Sequence, residues 1–132
     1  MSETLTVIVE REFAHPPEKI WRALTQPHLI ADWLMENDFA PKVGHRFGLK
    51  AEWGSLTCEV LEVEPLETLA YTWNTHDLRS QVTWTLAPSG KGTLLRMEQT
   101  GFGPNQPNYY HGARAGWPRL FGNLEQVLDR ID

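Results

Sequence analysis

Apolar and polar side chains alternate from Leu5 to Phe13, with Leu5, Val7, Val9 and Phe13 on one face. A period of two predicts a half-buried strand. Pro16 and Pro17 cannot continue a ladder, but Pro17 suits the first turn of a helix, where its missing N–H is not needed. Ile20, Trp21 and Leu24 then recur at helical spacing. Pro27 opens a second short helix with Leu29, Ile30, Trp33 and Leu34 as its apolar stripe. After Asp38 the period returns to two.

Five strands follow. Phe47, Leu49 and Ala51 alternate, as do Leu56, Cys58 and Val60. Leu61 and Val63 lie on the opposite face, which predicts two-sided burial or a bulge. Leu69, Tyr71 and Trp73 form the next strand, and Val82, Trp84 and Leu86 the one after. Ser89–Gly92 reads as a turn into an antiparallel neighbour carrying Leu95 and Met97 on one face, with Arg96 and Glu98 on the other. Gly101–Pro107 has the composition of a loop. The tail carries Ala113, Gly116, Trp117, Leu120, Leu124, Val127, Leu128 and Ile131 at spacings of three and four, a helical stripe. Pro118 interrupts it, so the helix either kinks near 114–118 or begins there. The order is strand, two short helices, five strands, long helix. An α+β architecture satisfies it: a curved antiparallel six-stranded sheet with the long helix laid across it.

Composition narrows the partners. A chain of 132 residues holds one domain, spanning 1–132, and 41% hydrophobic with 22% charged residues excludes a disordered chain. A formal charge of -5 argues against a nucleic-acid backbone as main partner. The apolar runs are too short for a membrane span. Met1–Val9 has neither a basic region nor a cleavage site, so no signal peptide is expected. One cysteine, Cys58, excludes an internal disulfide, and the expected location is cytoplasmic. The five histidines are scattered, no catalytic or phosphate-binding motif occurs, and neither a metal nor a cofactor is expected. The six tryptophans stand out. Trp21 and Trp33 read as core. Trp73, Trp84 and Trp117 read as core or as a cavity wall, and Trp53 as an exposed turn residue.

Ala14-His-Pro-Pro-Glu-Lys-Ile20-Trp21-Arg-Ala-Leu-Thr25 with Trp33-Leu34 resembles the opening of the START-like (SRPBCC) superfamily. More narrowly, it resembles homologues of the activator of the 90-kDa heat-shock chaperone ATPase. Val60–Pro65 with Leu69–Trp73 is similar to that family's central hairpin, and Gly92–Leu95 and Gly116-Trp117 with Leu120 and Leu124 to its end. The resemblance implies a helix-grip (Bet v 1-like) fold with a cavity between sheet and helix. His45 and Cys58 stand where the family often has glycine, which places two extra side chains near that cavity. Fold alone does not fix activity.

The expected function is binding of a small hydrophobic or aromatic molecule by Trp73, Trp84 and Trp117. Polar contacts are expected from His45, Glu98, Tyr110 and His111. Arg46, Tyr109 and Arg114 are further polar candidates at the pocket or its mouth. The resemblance also implies a protein-interaction alternative, a co-chaperone that stimulates a chaperone ATPase. Full co-chaperones of that kind carry an additional N-terminal domain, so this expectation ranks second. A third alternative is pocket catalysis of cyclase or hydrolase type, with His45, His111 or Glu98 as acid or base. An exposed sheet edge or tryptophan would favour a homodimer. The glycines and prolines of residues 101–111 suit a gate beside a cavity.

Overall fold

The computed structural model describes residues 4–132, so the first three residues of the Met1–Val9 segment lie outside it. The elements are β1 (Leu5–Phe13), α1 (Pro17–Thr25), α2 (Pro27–Trp33), β2 (Glu36–Asn37), β3 (Arg46–Ala51), β4 (Gly54–Glu64), β5 (Thr68–Thr75), β6 (Leu78–Ser89), β7 (Gly92–Phe102) and α3 (Pro107–Arg130). All ladders are antiparallel, in the spatial order β1-β7-β6-β5-β4-β3-β2. The fold is the helix-grip α+β architecture, with seven strands instead of six. The extra strand, β2, is two residues long and pairs Glu36 and Asn37 with Lys50 and Leu49. Two residues are too few to display a period.

The period of two places one side of every long strand on the core. Val7 and Phe13, Leu69, Tyr71 and Trp73, Val82 and Trp84, and Leu95 and Met97 are buried. The ladder of β4 with β5 shifts between Val60 and Glu62, and Leu61 is exposed, so the bulge alternative holds. Strand β7 runs to Phe102, two residues into the expected loop. Gly101 permits this: its φ is +116°, and an added Cβ would lie 2.6 Å from the Arg79 carbonyl oxygen. Phe102 pairs with Leu5 at the far end of the β1 ladder.

Helix α3 starts at Pro107 and continues through Pro118 to Arg130, so the alternative of a start at 118 is overturned. Proline is tolerated because buried Trp117, Phe121, Leu124, Val127 and Leu128 hold the helix to the sheet and small helices. The C-terminal half carries further ties: His15 with Asp129 at 2.9 Å, Arg130 with Asp32 at 3.1 Å and Arg22 with the Asp132 carbonyl at 2.7 Å. Helices α1 and α2 bury Ile20, Ala23, Leu24, Leu29, Ile30 and Trp33. The Trp33 indole donates to the Ala23 carbonyl at 2.8 Å and meets Trp84 edge-on at 5.7 Å.

Candidate functional site

The helix and sheet do not fill the space between them. A cavity of about 480 Å³ lies between the N-terminal half of α3 and the inner face of the sheet, bordered by the end of α2 and the β3–β4 turn. Its volume falls in the roughly 300–1,000 Å³ range of small-molecule sites. Trp73, Phe102 and Trp117 form its aromatic floor, with Leu56 and Leu78 between them. On the helix side the wall includes Gly112, Ala113 and Gly116. An added Cβ at Gly112 or Gly116 would meet nothing within 4 Å. These two glycines lie four residues apart and so share a helix face. Bulkier residues at either position would project into open space. Between Asn108 and Leu120, both on this face and in the wall, the two glycines leave the space in front of Trp73 and Trp117 open.

The floor contains one polar chain, and its members are paired. The Trp117 Nε1–H donates to Gln99 Oε1 at 2.7 Å, Gln99 Nε2 donates to Ser80 Oγ at 3.1 Å, and Ser80 Oγ donates to the Trp73 carbonyl at 2.5 Å. Gln99 and Ser80 are buried, where an unpaired polar group would be costly. Gln99 did not figure among the expected site residues. The signal for it is its phase: it follows Leu95 and Met97 at steps of two, on the inner face of β7.

At the mouth, the first turn of α3 is fastened to the β5–β6 turn. Tyr109 Oη donates to Asp77 Oδ1 at 3.0 Å, and Gln106 Nε2 donates to the Asp77 carbonyl at 3.0 Å. The Tyr109 hydroxyl holds the Asp77 carboxyl below its usual range, and the same bond raises the phenol. Trp53, 64% exposed in the β3–β4 turn, stands at the rim. Arg119 is the charged side chain of the wall among the described residues.

The expected site residues separate into two groups. Trp73 and Trp117 line the cavity together, with ring centroids 5.2 Å apart. Trp84 stands behind them: it is fully buried, packs on Trp117 at 5.6 Å and donates from Nε1 to Tyr71 Oη at 2.9 Å. His45 stacks on Phe47, and its Nε2 contacts the Asp38 carbonyl oxygen at 2.9 Å. The cavity touches the opposite end of β3, six residues or about 20 Å along the strand. Cys58 is buried on β4 away from the cavity, so neither departure from the family pattern trims it. Glu98 lies on the outer face of the sheet with Arg96, because it is one step out of phase with Gln99. His111 is exposed on α3, and Tyr110 packs on Phe102 and Arg114 in a separate shallow groove beside β1. His45, His111 and Glu98 therefore do not converge, and the wall carries no carboxylate or imidazole among the described residues. No group of three metal-ligating side chains occurs among them either. No helix there is long and apolar enough to cross a membrane.

The family model described as Activator of Hsp90 ATPase homolog 1-like protein matches residues 14–129. The crystal structure of the Mesorhizobium loti protein MLL2253 is similar at 61% identity and a TM-score of 0.94, covering 97% of this chain and 99% of that one. DynU16, described as a putative protein in the dynemicin biosynthetic locus, is 26% identical with a TM-score of 0.84; the match covers 94% of this chain and 47% of that one. The Aha1 dimer of Colwellia psychrerythraea shares the fold at 17% identity and a TM-score of 0.84, over 94% of this chain and 96% of that one. No curated protein matches.

Proposed function

Since the chain belongs to the Activator of Hsp90 ATPase homolog 1-like family, within the START-like superfamily, we propose that it binds a small hydrophobic or aromatic molecule between α3 and the sheet. The observation that carries this reading is the glycine-bearing face of α3. Glycine costs a helix interior about 1 kcal/mol relative to alanine. Two such positions, Gly112 and Gly116, leave open the space in front of Trp73 and Trp117. A helix selected for packing alone would carry side chains there. DynU16, a relative in a biosynthetic locus, is compatible with a role in handling small molecules.

The test is native mass spectrometry after incubation with mixtures of lipids and aromatic metabolites. The wild-type chain is expected to retain apolar adducts, and Gly116→Leu to lose them while its circular dichroism is unchanged. Absence of adducts, or equal retention by Gly116→Leu, overturns the reading.

The family description favours a second reading, stimulation of a chaperone ATPase. An ATPase assay with a chaperone of that class at saturating protein decides it, because a co-chaperone must raise turnover. The dimer described for the Colwellia relative makes self-association worth measuring by light scattering.

A further inference from the structure

The distribution of polarity along the cavity selects among apolar ligands. Resting on the ligand-binding reading above, we propose that the ligand is an amphiphile with an acid group. Its apolar body would lie against Trp73 and Trp117, and its carboxylate would be held by Arg119 on the exposed rim of the cavity.

At the floor, the oxygen and nitrogen of the Gln99 amide each already hold a partner, so that end favours an apolar body. On the exposed rim, Arg119 lines the cavity and makes no ion pair and no side-chain hydrogen bond among the described residues. Long side chains on a helix lean toward its N-terminus and over the turn before their own Cα. For Arg119 the positions three and four residues back are Gly116 and Ala115, small residues that leave its long side chain a route along the helix to the cavity it lines. No acid among the described residues claims it: Asp77, at the first turn of α3, is engaged by Tyr109, and Glu52, beside Trp53, forms no ion pair with Arg119. The chain as a whole carries a formal charge of -5, so general attraction does not draw an anion in. A local cation must do so. A guanidinium suits a carboxylate because its planar fork can donate two parallel hydrogen bonds.

The experiment compares 2-naphthoate with 2-naphthamide, which share one apolar body and differ in charge, by isothermal titration against the wild-type chain and Arg119→Gln. The carboxylate is expected to bind the wild type about tenfold more tightly than the amide, the scale of one charge-assisted hydrogen bond at a partly hydrated site. Arg119→Gln should remove that advantage and leave the amide unchanged. Equal wild-type affinities, a preference for the amide, or a loss in Arg119→Gln that is the same for both probes overturns the carboxylate assignment and leaves the ligand-binding reading standing. Failure of both probes to bind overturns both.

Discussion

Replacing Gln99 with leucine would keep an apolar stem in place and remove both hydrogen-bonding atoms. The Trp117 N–H would lose its acceptor and the Ser80 hydroxyl its donor. The Ser80 hydroxyl keeps the Trp73 carbonyl, but the buried Trp117 N–H is left unpaired at a cost of about 1–3 kcal/mol, so Gln99→Leu is expected to lower the unfolding free energy by about that amount in urea titrations. A buried thiol gives a second expectation. Burial, aided by the Asp38 carboxylate, pushes the Cys58 pKa from its usual 9.0 to about 12. Folding therefore favours the protonated thiol. Its contribution is complete below pH 9 and is lost as pH rises from there toward 12. Burial raises the Tyr71 phenol as well, in the same direction. The urea midpoint should fall above pH 9, and Cys58 should resist a thiol reagent at pH 8 until the protein unfolds. Reaction of the native protein at the rate of an exposed thiol would contradict this. At this scale the sequence was readable where phase decided the matter. Trp73 and Trp117 followed apolar stripes to the cavity wall, and the same phase carries Gln99 inward and Glu98 outward. His45 could not be placed, because its position depends on the length and direction of β3, which are long-range properties.

Among the elements, α3 combines two residues that disfavour helix with a role that depends on one of them. Gly112→Ala adds a methyl group where nothing lies within 4 Å. It is expected to stabilise the fold by about 0.5–1 kcal/mol through helix propensity alone. Pro118 is exposed and lacks the N–H that would reach the Arg114 carbonyl. Pro118→Ala should stabilise by up to about 3 kcal/mol. Both are read from denaturation midpoints, and a loss of stability in either would show that the residue fits its site in some further way. The long strands were legible because burial on one face imposes strict alternation. The ends of elements were not. Residue pair 36–37 is too short for a period, and the loop-like composition of 101–102 yields to pairing with β1 that is distant in sequence.

Across the whole molecule, the two halves of α3 are held by different means. The C-terminal half has a packed apolar face and ties to α1, α2 and the segment before them. The N-terminal half borders the cavity and is fastened at its first turn by Tyr109 to Asp77. We propose that this first turn and residues 103–106 are the gate. Few buried apolar contacts and exposed hydrogen bonds favour local opening. Amide exchange should be faster at residues 103–114 than at 120–130. Tyr109→Phe should speed the first segment and leave the second unchanged. Equal protection in both segments would remove the gate. Because Asp77 is held below the usual carboxyl pKa of 3.8, it accepts this bond throughout the neutral range and loses it only in acid.

The tryptophans have an optical consequence. Trp73, Trp117, Trp84 and Trp33 form a continuous series with successive centroids 5.2, 5.6 and 5.7 Å apart. Indoles this close exchange excitation energy before they emit, and their transitions couple in the near ultraviolet. Two members of the series face the cavity, so a molecule seated against them perturbs the emission of the whole group. The chain is thus its own fluorophore, and occupancy can be followed from intrinsic light, without a dye or a tag.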